Sequence, residues 1–223
     1  HDALPIYADL ILLHVYNMPV NYSELPVTIY PADLKEGAEK EMSKLKDELL
    51  HISGQPLSID TIVRMGSSTE ELEYICEKEK PYAVILGSSG KSETERILLG
   101  SNTVYTMKKL DWPMIAVPKG AKFSAIKKIG FACDFNSVME TTPVDEIELL
   151  VKDFNAELHI LNIGKKDTHE PELIFESGVL QEMLASLAPV YHFITNKNID
   201  EGIIEFTEKN NIDLLIVLPK QHS

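Results

Sequence analysis

The chain has 223 residues, 44% hydrophobic and 25% charged, which is the composition of a folded globular protein and not of a disordered one. At about 150 residues to a domain, this length falls between one domain and two, and it suffices for a sizeable core. Asp and Glu number 35 against 21 Lys and Arg, a formal charge of −14 that excludes nucleic-acid binding by bulk electrostatics and attraction to an anionic membrane surface.

Two cysteines, Cys76 and Cys133, are too few for a disulfide framework and read as buried free thiols, which suits a reducing, cytoplasmic setting. No apolar run approaches the roughly eighteen residues of a membrane span, and no secretory signal is legible at the start.

In chain order, residues 9–15 form a continuous apolar run expected of a strand covered on both faces. Pro19, Pro26 and Pro31 punctuate the next segment. Leu34, Ala38, Met42, Leu45 and Leu49 then recur at helical spacing over 32–52, ended by Gly54 and Pro56. Alternation over 57–65 predicts a strand. Ser68 with Glu71 reads as a capping box opening a helix to about residue 80. Residues 83–86 predict a second buried strand, 102–110 a helix and 114–117 a strand. Residues 118–124 are the best linker. Beyond it come strands at 129–133, 158–163, 190–195 and 214–218, with helices at 144–154, 175–187 and 199–210.

Alternating strands and helices imply right-handed βαβ units and parallel sheets. The chain also echoes itself. Residues 8–13 (ADLILL) resemble 156–161 (AELHIL), and Glu77-Lys78 before 83–86 resembles Glu208-Lys209 before 214–217. Two tandem α/β units are therefore expected, at 1–120 and 125–223. Their phases differ. The second opens with a strand and helix that the first lacks, and the first continues into a helix and strand that the second lacks, as expected of part of a longer protein.

The chemistry-bearing motif is Gly87-x2-Gly90-x9-Gly100-Ser101. Gly87 would let the backbone turn off the strand, and Gly90 would let N–H groups approach an anion. Gly100 and Ser101 would open a helix whose free N–H groups favour phosphate. By spacing alone, a plain strand-to-helix loop is an even alternative. The pattern is neither a Walker A loop nor G-x-G-x-x-G.

Residues 83–91 with 97–101, together with Leu12-Leu13-His14-Val15 and residues 112–118 (WPMIAVP), resemble the universal stress protein family in its ATP-binding-motif subtype. The resemblance implies two Rossmann-like units, akin to adenine nucleotide α-hydrolases, each with a mostly parallel five-stranded sheet and helices on both faces. It implies pairing of the two as an intrachain pseudo-dimer, with further assembly into a homodimer. It also implies ATP, with Mg2+ accompanying it, as a regulatory ligand in the first unit. Gly87, Ser88, Gly90, Gly100, Ser101 and Asn102 would hold the phosphates and ribose, and Val15 would pack on adenine. The family's adenine-contacting Asp has a counterpart in Asp134 of the second unit, whereas the first unit's version falls in its missing portion. The second unit ends in residues 219–222 (PKQH) without Gly-x2-Gly and reads as degenerate, with Asp134 a turn cap.

No general base is identifiable, so any ATP turnover would be slow and incidental. His169, His192 and His222 lack metal-ligand spacing and read as ordinary histidines. Glu70, Glu71 and Glu73 read as helix-start acids. The alternative function is a scaffold of the same fold that binds no nucleotide. An ATP pyrophosphatase domain is disfavoured, because residues 133–136 (CDFN) do not supply that group's S-G-G-x-D-S loop.

Overall fold

A computed structural model describes residues 9–18, 30–54, 57–88, 101–118, 120–122, 124–164 and 171–218. These fall into two compact units, one within 9–118 and one within 120–218.

In the first unit, β1 (Leu10–Tyr16) runs parallel to β2 (Ile59–Met65), and β3 (Val84–Ser88) runs parallel to β4 (Met114–Pro118). Among the described residues these are two separate two-stranded ladders. Helix α1 (Pro31–Ser53) starts with proline in its first turn, where the absent N–H is no loss. It stops at Gly54, whose φ of 61° is the left-handed turn that glycine adopts without strain. Of its apolar stripe only Met42 is buried. Helix α2 (Ser68–Glu79) buries Ile75 and Cys76, and α3 (Ser101–Lys109) leads to the buried Leu110. The hydroxyls of Thr69 and Thr106 lie 3.2 Å apart, joining α2 to α3.

The capping box is corrected by one residue. Ser67 is the N-cap, its carbonyl accepts the Glu71 N–H at 3.0 Å, and its side chain makes no capping bond. The Glu71 carboxylate lies beside Gly66, just before the N-cap, and 3.9 Å from Arg64 of β2.

The second unit is one four-stranded parallel sheet in the order β7-β6-β5-β8, formed by β5 (Lys128–Ala132), β6 (Glu157–Gly164), β7 (Val190–Thr195) and β8 (Leu214–Val217). Around it lie α4 (Val138–Thr141), α5 (Val144–Phe154), α6 (Pro171–Met183), a short 3-10 turn (Ala185–Leu187) and α7 (Ile199–Asn210). Strand β5 is central. Its Ile129 and Phe131 are completely buried, in one cluster with Ile147 and Val151 of α5, Leu158 and Ile160 of β6, and Leu180 and Leu184. Asn198 caps α7, its side-chain oxygen accepting from the N–H groups of Asp200 and Glu201. Gly202 of α7 lies hard against β6: an added Cβ would stand 2.9 Å from Ile163 Cδ1. A side chain here would require Ile163 to shift, and Asn196 Cβ, 3.2 Å away, to give.

Each unit thus holds four strands among the described residues, where five had been expected. Among the same residues, no helix is long and apolar enough to cross a membrane.

Candidate functional site

The glycine motif begins at the carboxyl end of a parallel strand and ends at a helix start. Gly87 and Ser88 are the last two residues of β3, and Ser101 and Asn102 are the first two of α3. Gly90 and Gly100 lie outside the described residues. The expected sharp turn at Gly87 is not there. Pairing with β4 carries the strand on to Ser88, opposite Pro118, so Gly87 is extended. Among the described residues, a Cβ at Gly87 would meet no atom within 4 Å, and Gly87 itself is exposed.

At the other end of the motif, α3 has no acidic residue in its first turn, and Lys108 and Lys109 lie in its last. The first turn itself therefore supplies no carboxylate to offset the positive end of the helix dipole. Val15 is half-buried near the carboxyl end of β1, opposite Arg64 of β2.

An open groove of about 410 Å3 lies between the end of β1 and α1, lined by His14, Tyr16, Asn17, Asp33, Leu34, Gly37, Ala38, Glu41 and Met42. It carries two carboxylates and neither Lys nor Arg, so it suits a neutral group better than a phosphate.

In the second unit the strand order reverses at β5, and residues 133–136 follow its carboxyl end. Asp134 closes this turn on itself, with Oδ1 accepting the Asn136 N–H at 3.3 Å, as its sequence suggested. Cys133 Sγ accepts the Phe135 N–H at 3.4 Å, and the Cys133 carbonyl accepts from Asn162 Nδ2 at 2.9 Å. Phe135 and Ser137 occupy left-handed backbone at φ 52° and 51°, a tight path locked by the Glu176 carboxylate accepting the Val138 N–H. Burial, and secondarily Cys133, push the Tyr191 hydroxyl up to about 12.

His192 stacks on His159 with ring nitrogens 3.0 Å apart and meets the edge of Phe206. Burial, then His159 and Lys128, hold it below its ordinary value. Sequence reading missed this pair, because its members are 33 residues apart and meet only through the β6–β7 register. Among the described residues no group of three His, Cys, Asp or Glu side chains could hold a metal ion. His169 and His222 lie outside them. Glu70 and Glu71 lie in the first turn of α2, where acids favour the dipole.

Comparison with known proteins bears on the first unit most directly. The universal stress protein family profile matches residues 3–118. A universal stress protein of Methanocaldococcus jannaschii is 34% identical over 86 residues, which is 39% of this chain and 51% of that protein. The aligned region therefore spans about half the length of the curated relative. A universal stress protein from Archaeoglobus fulgidus matches with a TM-score of 0.66 at 20% identity, over 93% of this chain and 73% of that one. A Pseudomonas aeruginosa protein of unknown function matches with a TM-score of 0.61 at 14% identity, over 97% and 85%. At these identities the solved structures speak for the shared fold. The parallel α/β architecture and the profile over half the sequence lead to one assignment: the chain belongs to the universal stress protein family.

Proposed function

We propose that this chain binds ATP in its first unit as a regulatory ligand, with Mg2+ accompanying the nucleotide. The observation that carries this reading is the placement of the two ends of the glycine motif. Gly87 and Ser88 end a parallel strand, with Gly87 exposed, and Ser101 and Asn102 begin a nine-residue helix with no acid in its first turn. Free N–H groups and the dipole at that helix start favour a phosphate, a contribution of about 0.3–1 kcal/mol before any side chain acts. Backbone N–H donors would hold the phosphates along 87–90 and 100–102. Val15 and the neutral part of the groove beyond β1 would take the base. Mg2+ would be held by the phosphates, since the described residues provide no acidic cluster for it.

The second unit is read as a tandem copy without a working nucleotide loop. Its β6-β7-β8 order with intervening helices repeats β1-β2-β3, and its Asp134 is engaged in its own turn. Cys76 and Cys133 are not joined in a disulfide, which favours a reducing, cytoplasmic setting.

Titration calorimetry with Mg-ATP, with Gly100→Val alongside, tests the nucleotide site. Loss of binding in the variant is expected, and equal affinity of the two proteins would sink it. A scaffold without nucleotide is the second reading, favoured by the apolar positions that the first unit leaves exposed, such as Ile85 and Tyr82. No thermal shift at millimolar ATP would support it.

A further inference from the structure

The helices of the second unit differ in what they turn outward. Helices α5 and α7 each expose one large apolar side chain, Leu149 and Ile199, among charged residues such as Asp145, Glu146 and Lys152 or Glu201, Glu205 and Glu208. On α6 the exposed residues, among the described side chains, are Ile174, Phe175, Gly178, Gln181 and Glu182. Ile174 is 62% exposed and Phe175 67%. The opposite face of the same helix is apolar as well, with Leu180 completely buried and Leu173, Val179 and Met183 packed on the core. Apolar residues all round are the pattern of a helix covered on both faces.

Ile174 and Gly178 are one turn apart with Phe175 beside them, so the three share one stretch of surface. The two helical glycines of this unit contrast. Gly202 is pressed against Ile163 of β6, whereas a Cβ at Gly178 would meet no described atom within 4 Å. Glycine weakens a helix interior, and the internal packing around residue 178 does not call for it. On the outer face it leaves a notch at which a second helix can approach closely. Helix α4 adjoins this surface. The Glu176 carboxylate accepts the Val138 N–H at 2.9 Å, tying α4 to α6, and the next residue, Met139, is 73% exposed.

Charge selects the occupant. Glu140 and Glu182 are exposed, and neither α4 nor α6 contains Lys or Arg. The last turn of α6 therefore has no cation of its own to offset the negative end of the helix dipole. Pairing with a second copy would bring like charges together, and the formal charge of −14 opposes that contact and anionic lipid alike. We infer that the exposed face of α6, next to α4, is a docking surface for a basic amphipathic helix of another protein. The apolar side of that helix covers Ile174 and Phe175 and crosses α6 at Gly178, and its Lys and Arg face Glu140 and Glu182. This inference stands apart from the nucleotide site and from the relation between the two units.

The probe is a model peptide of about eighteen residues with Leu on one helical face and Lys on the other. It is titrated into the full chain at about physiological salt, ~0.15 M, and followed by backbone amide NMR shifts. Saturable one-to-one binding is expected, with the shifts concentrated in α4 and α6. A Leu–Glu peptide of the same pattern should bind about tenfold or more weakly. Phe175→Asp should abolish binding of the Leu–Lys peptide. Gly178→Leu should weaken it about tenfold or more by filling the notch, yet leave the urea midpoint equal or higher, since an exposed helix position gains a better helix former. Binding that survives both substitutions would assign the attraction to the acidic surface at large and overturn the proposal, as would no binding. Equal affinity for the two peptides would overturn the basic partner. Self-association of the chain that Phe175→Asp abolishes would give the face to a second copy, again against the proposal.

Discussion

Substituting Ile160→Ala and Leu12→Ala perturbs the same position of the repeated strand in two different surroundings. Each change deletes three carbons. At about 0.8 kcal/mol per buried methylene, complete burial makes that loss about 2.4 kcal/mol before any cavity forms. Ile160 is fully buried among Ile129, Phe131, Leu158 and Leu180, so a cavity remains and the total reaches about 2–5 kcal/mol. Leu12 is only partly buried, and its deletion opens to solvent instead of leaving a void. About 1 kcal/mol is expected there. Because a two-unit chain need not unfold in one step, urea denaturation should be paired with amide exchange that separates residues 9–118 from 120–218. Equal costs at the two sites would refute the contrast in burial between β1 and β6.

Three further outcomes are expected. Gly202→Ala should destabilise the second unit by about 1–3 kcal/mol, read as a lowered urea midpoint, because its Cβ would stand 2.9 Å from Ile163 Cδ1. Asn198→Ala should cost about 1 kcal/mol by the same assay, through loss of the two capping bonds to Asp200 and Glu201. His192 is held below its ordinary 6.5 in the folded chain, so the unfolded chain takes up the proton first on acidification. Stability should therefore fall as pH drops from about 6.5 to the lower folded value and level off below it. His192→Gln should flatten that stretch of the stability profile, and an unchanged slope would contradict the assignment.

Much of the fold was legible because parallel strands covered on both faces must be apolar throughout. The runs at 9–15, 83–86 and 214–218 each lie within a residue or two of a strand. What escaped depends on partners distant in sequence. Helix α4 is a single turn held by Glu176, 38 residues away, and has no period to detect. The serine capping α2 was misplaced by one because Ser67 and Ser68 are adjacent. Gly87 looked like a turn because glycine permits one, but the register of β4 requires an extended residue there.

The nucleotide site is tested most directly by mapping amide exchange with and without saturating Mg-ATP. Slowed exchange is expected at Ser88 and at the first residues of α3, Ser101 and Asn102, with the Asp134–Asn136 turn of the second unit unchanged. Protection confined to that turn, or no protection at either end of the glycine motif, would contradict ATP binding by the first unit.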